Sequence, residues 1–240
     1  MIRVASYNMR KAIGTDRRRR PERTLDVLNE LDADVIALQE SWAPDDGESQ
    51  HDAAGRALGY EVHSVALSRA EAWPEPEISD RFDPDRRTGS GDWCLAVLSR
   101  LPVTGKRLTR FWQLPVDPSS RALLQLDVDV DGSPLAVCST HFTHLEFGAV
   151  LHTRQLRRAL PPAALPAVLM GDMNMWGWCI SAMTPGGWRR VGRGATWPAH
   201  RPHSRIDHVV VTRPVQVLDV ERLHDVGSDH RPLRARLLVP

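Results

Sequence analysis

Cysteine, lysine and long apolar runs are scarce in this sequence. Three cysteines, Cys94, Cys138 and Cys179, stand far apart in 240 residues. An odd, widely spaced trio excludes a disulfide framework or a four-cysteine zinc site. Such cysteines read as small buried hydrophobes of a reduced, cytoplasmic protein. No window approaches the roughly 18 apolar residues of a membrane-spanning helix. The first apolar stretch is too short for a secretory leader, and no small-residue cleavage site follows it. The expectation is therefore a chain without a membrane anchor. Of the 31 basic residues only Lys11 and Lys106 are lysine, and 30 acids bring the net charge to +1. That balance excludes the global basic field of many nucleic-acid binders. Arginine nevertheless suits local, bidentate contacts to phosphate. There is no P-loop, HExxH, GxSxG elbow or CxxC pair, which removes several common chemistries.

What is present is ordinary globular composition, 42% hydrophobic and 25% charged. No linker divides the chain, so residues 1–240 read as one domain. Residues 2–8 read as a buried strand, and Pro21 opens a helix striped by Leu25, Leu28 and Leu31. Residues 34–39 form a short buried strand, 50–58 an amphipathic segment and 60–66 another strand. The proline-rich, charged stretch 69–92 reads as a long surface loop. Strand-like runs follow at 93–99, 105–112, 121–130 and 134–141, the last two joined by an Asp131-Gly132 hairpin turn. A helix over 147–160 and strands at 167–170, 206–212, 215–221 and 232–239 complete the pattern. Many strands with few helices suggest two packed sheets with helices outside.

The informative feature is where polar residues meet these apolar runs. Asn8, Glu40, His141 and Asp172 each sit at the end of a predicted strand or just beyond it. Asp207 opens a strand, and Asp229-His230 precede the last one. A packed sheet interior disfavours unpaired carboxylates, because desolvating a charge costs several kcal/mol. Carboxylates converging on one rim are tolerated if they hold a cation. Mg²⁺ takes oxygen ligands and keeps waters for substrate phosphate. Glu40 and Asp229 meet that demand, and Asn8 adds an amide oxygen. His230 is a candidate general base or transition-state stabiliser oriented by Asp207. Asp172 is placed to hold the attacking water, with Asn174 and His141 donating to a phosphate oxygen. The run Arg17 to Arg20 reads either as a solvated charge run or as a phosphate-facing loop carrying Arg17 and Arg18. Trp176 and Trp178 read either as packing residues or as platforms for a base or sugar, with Trp197 near the same rim.

The ordered set YN at 7–8, LQE at 38–40, LAVLSRLPV at 95–103, STH at 139–141, GDMN at 171–174, RIDHVVV at 205–211 and SDHRPL at 228–233 resembles the endonuclease/exonuclease/phosphatase superfamily of DNase I-like fold. The resemblance implies an α/β (α+β) four-layer sandwich, two mostly antiparallel β-sheets packed face to face with helices outside. It implies metal-dependent phosphoester hydrolysis with Mg²⁺ or Mn²⁺. Carried over by position, Glu40 is the main metal ligand, assisted by Asn8 and Asp229. Asp172 aligns the nucleophile, Asn174 contacts phosphate, Asp207 pairs with His230, and His141 is the second histidine. Asp172 and Asn174 could instead hold a second ion, and His144 competes with His141. Phe142 where leucine is common, Asp92 where asparagine is common, and the absence of a clear phosphate-contacting tyrosine leave the substrate open. A phosphodiester such as DNA or RNA is the first expectation. A lipid headgroup or small phosphoester is the alternative, and a non-catalytic binding module of the same fold is the third. A monomer is expected.

Overall fold

The computed structural model describes residues 1–70, 90–115, 117, 119–224 and 227–240. Most of the stretch expected as a surface loop, residues 71–89, lies outside the described residues. Its two ends are strand rather than loop.

Twelve strands among the described residues form two six-stranded sheets. They are β1 (Ile2–Asn8), β2 (Val35–Pro44), β3 (Glu61–Ala70), β4 (Gly91–Ser99), β5 (Val103–Arg110), β6 (Ala122–Val130), β7 (Ser133–His141), β8 (Ala167–Asp172), β9 (Trp188–Val191), β10 (Asp207–Thr212), β11 (Gln216–Arg222) and β12 (Leu233–Leu238). The first sheet has the order β11-β12-β1-β2-β4-β3 and the second β5-β6-β7-β8-β10-β9. Each holds one parallel pair near its centre, β1 with β2 and β7 with β8. The other ladders are antiparallel.

Strand periodicity explains the layers. Along β1 and β2, Val4, Val35 and Ala37 face the second sheet, while Ala5, Tyr7, Ile36 and Leu38 face outward. Along β8 and β10, Val168, Met170, Val209 and Val211 face the first sheet, and Leu169 and Val210 face outward. Each fully buried Val or Leu contributes about 1.5–3 kcal/mol, so sheets apolar on both faces need covering on both. The outer face of the first sheet packs on α1 (Pro21–Leu31), whose buried Thr24, Val27, Leu28 and Leu31 recur at helical spacing. Pro21 sits in its first turn, and Asp32 ends it in the left-handed region. Beside it α2 (Gln50–Leu58) is capped by Ser49, whose hydroxyl accepts from the Asp52 N–H at 3.0 Å. The second sheet is covered by α3 (Glu146–Ala159) and α4 (Gly177–Met183), with Leu156 and Ile180 in its outer cluster.

Several bounds differ from the sequence expectation. β2 does not stop at Gln39 but continues to Pro44. β5 runs from 103 to 110 rather than 105 to 112. Neither α4 nor β9 was expected: one is two turns long and the other four residues, too short for periodicity to register. Cys94 and Cys138 are buried as expected, whereas Cys179 is only half-buried.

Candidate active site

The two parallel pairs point their carboxyl ends at the same edge of the sandwich. Asn8 ends β1, His141 ends β7 and Asp172 ends β8. Because β10 runs antiparallel to β8, its first residue Asp207 pairs with Asp172. Because β12 runs antiparallel to β1, with Leu233 opposite Ser6, the preceding Asp229 and His230 reach that edge too. Each of Asn8, His141, Asp172 and Asp207 shares its strand's parity with residues of the inter-sheet core, as Met170 does for Asp172 and Val209 for Asp207. The polar cluster is thus the rim of that core.

Glu40 needs a different device. Strict alternation would put it with Ile36 and Leu38, facing α1. Between Leu38 and Ser41 the register on β4 advances only from Ala96 to Cys94, so β2 carries one extra residue. Glu40 takes φ 53° at this bulge. A bulge bends the strand and re-aims a side chain, and here the carboxylate comes to Asn8, whose Nδ2 donates to Glu40 Oε1 at 3.0 Å. The same Nδ2 donates to Asp172 Oδ2 at 3.0 Å, joining the two sheets. Asn174, also at positive φ (47°), donates its backbone N–H to Asp172 Oδ1 at 2.9 Å and its amide to the Phe142 carbonyl at 3.0 Å.

His230 lies between two buried carboxylates. Its Nδ1 is 3.0 Å from Asp207 Oδ2, and its Nε2 is 3.7 Å from Asp172 Oδ2. Burial works against the charged ring, but Asp207 and Asp172 outweigh it and raise the His230 pKa. Burial, with Asp207 nearby, drives Asp172 upward against the opposing pull of His230. Glu40 goes the other way: burial would raise it, yet His141, Lys11 and the Asn8 amide bring it to about 2. His141, 3.8 Å from Glu40 Oε1, is itself pushed down to about 3 by burial and by Arg121. At neutral pH it is an uncharged imidazole, so the ionised Glu40 leans on Lys11, the Asn8 amide and the charged His230.

These groups open into a cavity of about 650 Å³ whose lining includes Glu40, Arg121, His141, Asp172, Asn174 and His230. Trp93, Trp176 and Trp197 also line it, as does the exposed His144. Asp229 is at the edge of the cluster: its Oδ2 accepts from Trp197 Nε1 at 3.2 Å and pairs with Arg10 at 3.3 Å, while its Oδ1 is 3.9 Å from His230 Nε2. Trp178 is exposed on α4 and is not part of the lining. Arg17 and Arg18 are exposed in a turn outside the cavity.

Among the residues that escaped the sequence reading are Arg121 and Lys11. Arg121 is buried and its Nε donates to Asp117 Oδ2 at 3.1 Å. Lys11 is fully buried, its ammonium 3.6 Å from the centre of the Trp93 ring. Arg10, Lys11 and Ala12 all take positive φ, and this left-handed turn follows directly on β1. No glycine or asparagine marked it. Lys11 stood next to Arg10 in a stretch that reads as polar loop.

The donor set fits a hard divalent cation. Oxygen or nitrogen atoms of Glu40, His141 and Asp172 lie within 4.8 Å of one another, as do those of Asp172, Asp207 and His230. Glu40 is held ionised, as a ligand must be, and faces a second carboxylate across one amide.

A model of the Endonuclease/Exonuclease/phosphatase family matches residues 5–230. No curated protein matches in sequence. Among solved structures, an endonuclease/exonuclease/phosphatase from Beutenbergia cavernae is 22% identical, with a TM-score of 0.76 over 99% of this chain and 71% of that one. A mannosyl-6-phosphatase from Bacteroides thetaiotaomicron is 18% identical, with a TM-score of 0.70 over 99% and 100%. TDP2 from D. rerio, complexed with a single-strand DNA product, is 17% identical, with a TM-score of 0.69 over 99% and 99%. At these identities the likeness is one of fold.

Proposed function

Because the chain belongs to the endonuclease/exonuclease/phosphatase family, whose members hydrolyse phosphoester bonds, we propose that it cleaves a phosphodiester with the help of Mg²⁺ or Mn²⁺. The observation that carries this reading is a histidine held between two buried carboxylates on the wall of an open cavity. Glu40, with Asn8 and Asp229, would hold the cation, and Asp172 is close enough to share it. The cation, when bound, supplies Lewis-acid neutralisation of phosphoryl charge.

The protein's own groups do the rest. Asp207 fixes the His230 ring through Nδ1 and leaves Nε2 facing Asp172. Asp172, fixed on the cavity wall by the Asn8 amide and the Asn174 N–H, is placed to orient an attacking water and take its proton. His230 keeps its proton and donates to a phosphoryl oxygen as charge develops. Asn174 and the neutral His141 add donors to the same oxygen. Arg121, in the cavity wall and ion-paired with Asp117, offers guanidinium N–H donors rather than a net charge.

A second reading has one observation in its favour. A cavity of about 650 Å³ has the size of a small-molecule site. It admits a small phosphoester or a terminal phosphate as readily as a chain, and the Bacteroides thetaiotaomicron relative is a mannosyl-6-phosphatase.

One experiment tests both. Hydrolysis of a chromogenic phosphodiester and a phosphomonoester is followed with EDTA, Mg²⁺ or Mn²⁺, for the wild type, Glu40→Ala and Asp207→Asn, each checked for folding by circular dichroism. The expected result is metal-dependent diester turnover, lost in Glu40→Ala. In Asp207→Asn, kcat falls about 10²–10⁴-fold with KM little changed. Turnover confined to the monoester moves the assignment to the second reading. Full metal-dependent turnover by the folded variants overturns the site.

A further inference from the structure

On the edge of the second sheet, away from the catalytic cavity, a cleft of about 350 Å³ is lined by Arg107, Thr109, Arg110 and Trp112 on one side and Gln155, Arg158 and Ala159 on the other. The first wall is β5 and the residues just after it, and the second is the exposed side of α3. Two guanidinium groups, Arg107 from β5 and Arg158 from α3, line the cleft with an indole that is 69% exposed. Among the described residues Arg107, Arg110 and Arg158 form no ion pair. Arg110 is turned to the other face of β5, where its guanidinium donates to the Ala66 carbonyl of β3 and to the Ser120 hydroxyl, so its charge does not serve the α3 side. Asp127 on β6 accepts from Gln125 Nε2 at 2.7 Å and forms no ion pair with these arginines.

The tryptophan is held in place. Its backbone N–H donates to Gln155 Oε1 at 3.1 Å, which ties the strand end to α3. The preceding Phe111 is buried and stacks edge-on against Phe142. An exposed indole on a fixed backbone is a ready platform, because little conformational freedom remains to be lost on stacking.

The cleft also lies at the catalytic end of the sandwich. Arg110 pairs with Ala122, and Leu123 with Thr140, so Arg110 is level with the end of β7 that carries His141. The Phe111 N–H donates to the carbonyl of Arg121, whose side chain lines the catalytic cavity.

We propose that the β5–α3 cleft is a second, non-catalytic binding site for single-stranded nucleic acid, with Trp112 stacking one unpaired base and Arg107 and Arg158 contacting the flanking phosphates. Guanidinium groups supply phosphate contacts. A flat aromatic face beside them selects a strand whose bases are free to stack, since paired bases expose no face. The cleft is concave, walled by β5 on one side and α3 on the other, so a flat lipid surface would meet only its rim. The proposal rests on the phosphodiesterase reading above for the identity of the chain that is cut, and it fixes where that chain continues.

The test is binding of a fluorescein-labelled oligothymidylate to the full chain in EDTA, read by anisotropy across a salt series. A duplex of equal length and vesicles rich in anionic phospholipid serve as parallel probes. The proteins are wild type, Trp112→Ala and the double variant Arg107→Glu, Arg158→Glu, each also assayed on the small chromogenic diester. Trp112→Ala is expected to weaken oligothymidylate binding roughly fivefold to hundredfold while leaving duplex binding unchanged. The double variant is expected to weaken it at least tenfold, and to lower the slope of log K against log salt by about 0.7 for each lost phosphate contact. Small-diester turnover is expected to be unchanged in both. Undiminished oligothymidylate affinity in both variants overturns the cleft, as does an effect seen only with vesicles. Absence of diester turnover in every protein, with cleft-dependent oligothymidylate binding, overturns the catalytic reading and leaves the cleft standing.

Discussion

Asp172, His230 and Glu40 differ in charge because of their immediate surroundings. Glu40 gains Lys11 and the Asn8 amide, Asp172 gains burial beside Asp207, and His230 gains two carboxylates. His208, next to Asp207 but facing outward from the second sheet, shows the opposite case. It is fully buried and bonds the Met175 carbonyl through Nε2 at 2.8 Å. Burial lowers its pKa to about 4. An unfolded histidine titrates near 6.5, so acid protonates the unfolded chain first. The stability that neutral His208 confers is complete above about pH 6.5, drains as pH falls towards 4, and changes no further below that. The shift corresponds to about 3 kcal/mol. His208→Gln should therefore lose less Tm than the wild type between pH 7 and pH 4.5. Identical pH profiles for the two proteins would refute this.

At the scale of elements, the site depends on how closely β7 and β8 approach at their carboxyl ends. Gly171 takes φ 148°, and a Cβ there would lie 1.9 Å from the Thr140 carbonyl oxygen. No side chain can occupy that position unless the two strands separate. His141 and Asp172, paired in register one residue further on, would move with them. Gly171→Ala should lower Tm by 6 °C or more, at about 2–4 °C per kcal/mol for a chain of this size. Differential scanning calorimetry checks it, and a loss under 2 °C would show the approach is not needed. The bulge in β2 is the counterpart on the first sheet, because it alone turns Glu40 inward.

Across the whole molecule, the site is assembled from segments as far apart in sequence as Asn8 and His230. The last strand closes the first sheet: β12 lies between β11 and β1 and buries Leu233, Ala235 and Leu237 in the inter-sheet core. Ending the chain at Pro232 would leave β1 with an open edge and β11 with no partner. The truncated chain is expected to show no cooperative thermal transition by circular dichroism. A transition within a few degrees of the full chain would contradict this. Among the described residues no helix is long and apolar enough to cross a membrane.

The sequence by itself determined the strands and their faces. Period-two alternation already places Asn8 with Val4, Asp172 with Met170 and Asp207 with Val209, on one face of each strand. Ser49 and Gly59, which bracket α2, are likewise local signals. Motif order carried the family, since seven short motifs kept their sequence along the chain. Tertiary structure alone decided the rest. Alternation assigns Glu40 to the wrong face, and only the pairing of β2 with β4 forces the extra residue that corrects it. Lys11 reads as a solvated loop cation until the left-handed turn buries it against Trp93, a contact spanning more than eighty residues. Arg121 enters the cavity wall because β6 begins beside the end of β7, with Leu123 opposite Thr140. Which face a residue takes is a property of its strand. Which charges meet there depends on how distant strands pair, and no local pattern encodes that.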